Sequence, residues 1–508
     1  MAYGPVTAPV SRLTLALLSS LLVVLSLPDP DWWWLSWVCL VPLTLAVRDW
    51  RPGWSFLTGL LFGAAAIFGT CRWIFNVPGF GLRQALPIAV SCGLFPAVWS
   101  LAAARPFPSA GRRIAALAPL WILLDFGKTH VGFLSFPWAP LAWSQHANLP
   151  LLQLASVTGE YGITFLVVVA NLALAEAIAT RNWRPPVAAC VVLAVVHLWG
   201  VLQIDRPEGS RTIRVASVQP SIPSAEGWQS PDGERILARL RTLTLEAATA
   251  APSLVVWPEN AVRMIPVAAT VAGPVAETCR EAGVPLIAGV AEMDKAYVPG
   301  SDGRTMSISP AARNDAWFLL PDGTVAGRYS KTILLPFSEY LPLQPAVRWP
   351  QWLVPRQPTG VRGEGPVLFT LPGGVGVAPF ICWENIFPAF IRTSAALGPG
   401  IFVQLSNEIH WGRSAGGFQH NLASVLRAVE HRIPVVVSSN TGPTAVIDPW
   451  GRVVAANDRL FESAVVAADV PLAGAPTLYT RLGNWALYPA AIAFLAAFAA
   501  PVRNHLRE

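Results

Sequence analysis

Long hydrophobic runs separated by short basic loops fill the N-terminal part of the chain, and a more polar block follows. The runs lie at about 12–28, 33–47, 54–76, 86–104, 113–126, 161–180 and 186–204, and an eighth, 485–502, lies near the C-terminus. A bilayer-crossing helix needs roughly 20 apolar residues, with about 17 sufficient, so the pattern predicts eight transmembrane helices. The runs at 33–47 and 113–126 are short and must borrow length from their flanks. In the block 208–478 the periodicity changes. Short runs rich in β-branched residues predict strands at 213–219, 254–257, 285–290, 317–320, 376–381, 401–405 and 435–438, with helices at 233–250, 270–282 and 418–432. Strands that are apolar almost throughout and separated by helices imply an α/β domain with buried sheets. The expected organisation is a multi-domain membrane protein: a seven-helix domain at 1–207, an α/β domain at 208–478, and a last helix with a cytoplasmic tail at 479–508.

Composition agrees with the hydropathy pattern. The 508 residues are 53% hydrophobic and 13% charged, against about 25% charged in soluble domains, and mean hydropathy is +0.47. The net charge of +6 does not signal nucleic-acid binding, because the basic residues form no cluster. They mark topology instead. Arg48 and Arg51, Arg112 and Arg113, Arg181 and Arg184, and Arg503 and Arg507 fall on one side of the eight-span arrangement, opposite Asp29, Asp31 and the block 208–478. Arg72 and Arg83 run against the trend. The positive-inside rule then places 208–478 outside the cytoplasm. The first run leads into Pro28-Asp29-Pro30-Asp31 and not into a small-residue cleavage site, which predicts a retained helix.

Of six cysteines, Cys39, Cys71, Cys92 and Cys190 lie in or beside apolar spans, and only Cys279 and Cys382 belong to the polar block. No CxxC or HExxH spacing indicates a metal, and no cofactor fingerprint is present. Gly373-Gly374-Val375-Gly376 leads into a strand and not a helix, so it reads as a hairpin turn and not a phosphate loop.

The candidate chemistry is Cys382, at the end of an apolar run and followed by Trp383-Glu384-Asn385. Upstream stand Trp257-Pro258-Glu259-Asn260 and Tyr329-Ser330-Lys331-Thr332. Glu259, Lys331 and Cys382 each end a strand-like segment, and only a fold can bring them together. A thiol attacks as thiolate. A carboxylate can take its proton and return it to a leaving group, and an ammonium favours the thiolate and stabilises an oxyanion. The alternatives are a buried structural cysteine or a Cys279–Cys382 disulfide. Glu339, in the Pro-bounded loop Pro336-Phe337-Ser338-Glu339-Tyr340-Leu341-Pro342, is placed to orient Lys331 or the thiol. Arg427, Glu430 and Arg432 read as structural ion pairing, and His410 and His420 as local hydrogen-bonding residues. Trp138, Trp143, Trp383 and Trp485 suggest an interfacial opening for lipid, because indole is apolar with one polar N–H.

Together these residues resemble the apolipoprotein N-acyltransferase family, a membrane branch of the nitrilase superfamily. The similarity runs nearly end to end: GFLSFPWAPLAWSQ from Gly132 to Gln145, Val218-Gln219, WPEN, the YSK and PFSEYLP segments, CWEN, Ser406-Asn407, Asn440-Thr441-Gly442, and Arg481-Leu482-Gly483-Asn484-Trp485. The resemblance implies a nitrilase-like α-β-β-α sandwich facing the periplasm and eight helices in the bacterial inner membrane. It implies Cys382 as acylated nucleophile, Glu259 as general base and Lys331 as oxyanion stabiliser, with Glu339, Trp383 and Glu384 in support and Trp228 at the site's mouth. The implied partners are a membrane phospholipid as acyl donor and a diacylated apolipoprotein as acceptor, with the enzyme a monomer that needs no cofactor. A membrane-tethered amidase and a catalytically silent envelope scaffold are the rival readings. Two departures stand out. The family's SND-aromatic-FG stretch reads Ser406-Asn407-Glu408-Ile409-His410-Trp411-Gly412, and the fifth helix carries Asp125 in place of Glu, with no following Arg.

Overall fold

Cross-chain side chains, and not only the hydrophobic runs, decide how the membrane helices form. The computed structural model describes residues 9–204, 211–223, 232–264, 269–299, 306–344, 346–350, 354, 358 and 360–499; Trp228, Arg503 and Arg507 lie outside them. It divides into two units. One comprises Met1–Phe75, Phe80–Arg206 and Thr477–Glu508, the other Asn76–Gly79 and Pro207–Pro476.

Among the described residues of the first unit, four helices are long and apolar enough to cross a membrane: Pro52–Thr70, Leu82–Ala103, Glu160–Thr180 and Arg184–Ile204. Pro9–Leu25 and Leu487–Ala499 are shorter apolar helices, and Ala110–Lys128 carries charge at both ends. The run at 33–47 is broken into a 3₁₀ turn, Trp33–Trp37, and a helix, Val41–Val47, whose first turn holds Pro42. Proline supplies no N–H there. Asn171 satisfies the backbone at the break: its Nδ2 donates to Ser36 O at 2.8 Å, and its Oδ1 accepts from Leu40 N at 2.7 Å. Irregular backbone at membrane depth persists only with such partners.

Small residues allow Pro52–Thr70 and Leu82–Ala103 to pack closely; a Cβ on Gly63 would stand 2.8 Å from Gly93 Cα. Buried charge is paired. Glu176 takes both Arg48 and Arg113, the latter at 3.2 Å, as charges in apolar surroundings require. Asp125 pairs with Lys128 at 3.3 Å, so a lysine one turn on supplies the cation where the sequence shows no arginine. Trp138 and Trp143 do not form an opening. They are buried and pack edge to face at 5.5 Å, with Trp73 against Trp138 at 5.0 Å, because stacking satisfies their faces inside the unit. Trp485 spends its N–H on Val157 O at 2.7 Å.

The second unit contains, among its described residues, the strands β1 (Thr212–Gln219), β2 (Leu254–Val256), β3 (Val262–Met264), β4 (Leu286–Pro299), β5 (Met306–Leu319), β6 (Val325–Ser330), β7 (Phe369–Thr370), β8 (Gly376–Ile381), β9 (Ile401–Ser406), β10 (Val435–Ser439), β11 (Thr444–Ile447), β12 (Val453–Asn457) and β13 (Ala464–Pro471). They form two mixed sheets, ordered β13-β1-β2-β4-β5-β6, with β3 beside β4, and β12-β11-β10-β9-β8-β7. Alternation puts Val215, Val256, Ile287 and Phe318 of one sheet against Val377, Ile381, Val403 and Val436 of the other in a single core. On the first sheet's other face Ala216, Trp257, Leu286 and Trp317 pack with side chains of the helices Asp232–Ala248 and Ala269–Ala282. Gly416–His431 lies along the second sheet's other face, where His431 meets Phe402 and Phe402 meets Phe380.

The strands predicted at 285–290 and 317–320 are the two ends of one long antiparallel hairpin, in register from Leu286↔Leu319 to Pro299↔Met306. Polar residues through its middle hide it from the sequence. Gly373 and Gly374, at φ +98° and +82°, turn β7 into β8 as the glycine pattern predicts; only glycine takes such φ cheaply.

Candidate active site

Three strand ends carry the candidate residues. Glu259 follows β2, Lys331 follows β6 in the same sheet, and Cys382 follows β8 in the other. Each turn is held from outside. Trp257 N donates to Ile287 O at 2.8 Å, its indole donates to Thr244 Oγ1 at 2.8 Å, and β4 approaches so closely that a Cβ on Gly289 would stand 2.0 Å from Pro258 O. Lys331 N donates to Asn314 O, and Gly363 N donates to Lys331 O, both at 2.8 Å. Cys382 sits at φ +53°, where an L-residue costs about 1–2 kcal/mol. That conformation turns the chain sharply from β8 into the 3₁₀ helix Cys382–Ile386.

Lys331 is buried, with Nζ 2.8 Å from Glu339 Oε1 and 3.3 Å from Glu259 Oε1. Glu339 Oε2 also accepts from Leu335 N at 2.7 Å, so the Pro-bounded loop holds its own carboxylate in place. Asn314 Nδ2 donates to Glu259 Oε1 at 2.6 Å. Burial pushes the Glu259 carboxyl above the ordinary range; Lys331 opposes this and Glu339 adds to it. Burial alone would lower Lys331, but Glu259, then Glu339 and Cys382, outweigh it and hold the ammonium well above its usual value. Cys382 is pushed well up by burial and then by Glu259, against Lys331. The resting group is therefore a thiol beside a carboxylate of raised basicity and a fixed ammonium, a set suited to concerted proton removal and attack.

Glu384 ties the turns together. Its buried carboxylate accepts from Tyr329 Oη at 2.7 Å, Thr332 N at 2.7 Å, Ile333 N at 2.9 Å and Ile381 N at 2.6 Å. One side chain thus binds the residues after Lys331 to the residue before Cys382. Burial raises it to about 7 even against these donors. Trp383 adds a second tie, its indole donating to Ile333 O at 2.7 Å. Cys279 and Cys382 are both free thiols; Cys279 is buried, bonded to Leu320 O and Val284 O. Arg427 and Glu430 form a fully buried pair at 3.1 Å.

Two contacts at the site escaped the sequence. Asn314 lies in the concealed part of the β4–β5 hairpin, and Asn407 donates to Glu259 O at 3.4 Å. Asn407 stood in the sequence only as part of the Ser406-Asn407 motif, with no sign of this contact. Among the described residues no cluster of metal-binding side chains occurs.

The second unit is a carbon–nitrogen hydrolase domain: residues 214–477 match the Carbon-nitrogen hydrolase family model. Residues 19–173 match that of the Apolipoprotein N-acyltransferase N-terminal domain. The chain is 32% identical to an apolipoprotein N-acyltransferase of Geobacter metallireducens, over 96% of this chain and 94% of that one. To the apolipoprotein N-acyltransferase of Photobacterium profundum it is 27% identical, over 94% and 92% respectively. Among solved structures it is similar to Saccharomyces cerevisiae Nit3, a member of the nitrilase superfamily, at 20% identity and a TM-score of 0.39, covering 52% of this chain and 91% of that one. The chain belongs to the apolipoprotein N-acyltransferase family.

Proposed function

We propose that this protein transfers an acyl chain from a membrane phospholipid to the N-terminal amine of a diacylglyceryl-cysteine lipoprotein, through a thioester on Cys382. The observation that carries the reading is the buried Lys331 paired with buried Glu259 and half-buried Glu339, with Glu259, Lys331 and Cys382 each at a strand end. Glu259 takes the thiol proton as sulfur attacks the ester carbonyl, and Lys331 faces the developing oxyanion. As the tetrahedral intermediate collapses, the carbon–oxygen bond breaks and Glu259 returns the proton to the departing lyso-phospholipid oxygen. In the second half the lipoprotein amine attacks the thioester, Glu259 takes a proton from nitrogen, an amide forms, and the sulfur leaves and is reprotonated. Trp383 and Glu384 support the thiol's turn.

Eight spans complete the reading, with 1–207 and 479–508 in the bacterial inner membrane and 208–478 periplasmic, in a monomer. The distribution of arginines supports this orientation. In intact spheroplasts, protease added outside is expected to cleave within 208–478; complete protection of that block would refute the orientation.

Incubation of the purified protein with phospholipid and a diacylated lipopeptide is expected to yield triacylated peptide and lyso-phospholipid in equal amounts. Free fatty acid with no acylated peptide would mark a membrane-tethered hydrolase instead. Neither product from a folded protein would mark a silent scaffold.

A further inference from the structure

Glu408 stands where the family's motif has aspartate, and the structure gives it more work than a loop residue needs. Its carboxylate is buried and accepts from three side chains on three elements. These are the hydroxyl of Ser406 at the end of β9, the hydroxyl of Ser439 at the end of β10, and His420 Nδ1, at 3.1 Å, on the helix Gly416–His431. Ser439 Oγ in turn accepts from Gly442 N at 3.0 Å, and Asn440 N donates to Ser406 O at 3.1 Å. The clasp ends at the candidate active site. Asn407, the residue before Glu408, donates to the backbone oxygen of Glu259 at 3.4 Å, and its own Oδ1 accepts from Asn440 at 3.2 Å.

We propose that Glu408 is a positioning residue for acyl transfer: its clasp holds Asn407 behind Glu259, and its negative charge acts on Cys382 and Glu259. This rests on Cys382 being the reacting thiol.

Charge and geometry point the same way. Glu408 acts to raise both the Cys382 thiol and the Glu259 carboxyl. The other charged groups acting on the thiol are Glu259, Lys331 and Glu339, with Glu384 two residues on and bonded to Tyr329. Lys331 favours the thiolate, and Glu408 acts against it together with Glu259 and Glu339. A like charge nearby disfavours ionisation, and its removal reverses that. A carboxylate with three side-chain donors costs less to bury than a bare one.

The test is the pH dependence of Cys382 alkylation by iodoacetamide in the full-length protein in detergent, with peptide mapping to separate Cys382 from buried Cys279. In Glu408→Gln, which keeps the shape and removes the charge, the midpoint is expected to fall by roughly half a pH unit or more. Glu408→Asp, which keeps the charge, should stay near the wild-type midpoint even if its melting temperature falls. An unmoved midpoint in folded Glu408→Gln protein overturns the proposal and leaves Glu408 merely structural. If the Gln variant does not fold, Ser406→Ala carries the test: losing one donor leaves the charge less compensated, so its midpoint should rise, and an unchanged or lower one overturns the proposal. Alkylation needs no lipid, so its outcome is separable from that of the acyl-transfer reading, which fails if Cys382→Ala protein still acylates peptide.

Discussion

Cys382→Ala protein is expected to form no triacylated peptide and to carry no acyl chain after incubation with phospholipid, while Cys279→Ala protein does both at the wild-type rate. The two thiols differ in surroundings, not only in position. Cys279 sits in the packing between a helix and the first sheet, with its sulfur bonded to two backbone oxygens and burial pushing it up to about 11. Asp322 pushes it further in the same direction. Cys382 is also held protonated, but beside Glu259, which can take its proton, and Lys331, which can steady the charge that results. Its left-handed backbone conformation is a strain that an alanine would share, so loss of activity without loss of folding is the expected pattern. Titration of exposed thiols and the melting temperature check the fold.

Lys331→Ala is the second large effect. Loss of one oxyanion donor typically costs on the order of 10²–10³ in rate, about 2.7–4 kcal/mol, and here the electrostatics add to it. Without the ammonium, Glu259 and Glu339 face each other uncompensated in a buried site. The Lys331 contribution that lowers Glu259 is gone, so Glu259 rises further and holds a proton when it should be taking one. Acylation should therefore slow severely, and the pH at which the residual rate reaches its plateau should move up. Lys331→Arg is not a conservative rescue, because a planar guanidinium cannot reproduce one nitrogen reaching Glu259 and Glu339 together at 3.3 and 2.8 Å. Single-turnover loading of Cys382, measured across pH, checks this. A wild-type rate and profile for the alanine variant would remove Lys331 from the chemistry.

Of the candidate residues, Glu259 and Cys382 were legible because each follows an apolar, buried strand, where a polar side chain stands out; Lys331 follows β6, VAGRYS, whose positions alternate in exposure, and was legible from its order between the other two. What joins them was not. Glu384 could be marked as important from its place beside Cys382, but its four donors come from β6, the loop after Lys331 and β8, and no local pattern announces that convergence. Asn314 was hidden because β5 carries charged and small residues through its middle, which breaks the apolar run that signals a strand. In the membrane unit, the break between Trp37 and Val41 depends on Asn171 far along the chain, so hydropathy alone reads one span where the helix is interrupted. Likewise β12, VVAAN, lies at a sheet edge with its positions exposed or half-buried, so its sequence shows no apolar-polar alternation to read. Hydrophobic period reports burial. It does not report which buried polar groups meet.

The central claim is that sulfur carries the acyl chain between donor and acceptor. Intact-mass analysis of the wild-type protein after incubation with phospholipid alone tests it most directly. The expected result is a mass increase of a single acyl chain, mapped to Cys382, released by hydroxylamine and discharged on adding diacylated peptide, with one lyso-phospholipid formed per adduct, as ping-pong covalent catalysis requires. Triacylated peptide formed by a protein that never carries such an adduct, or an adduct that persists in Cys382→Ala protein, would contradict it.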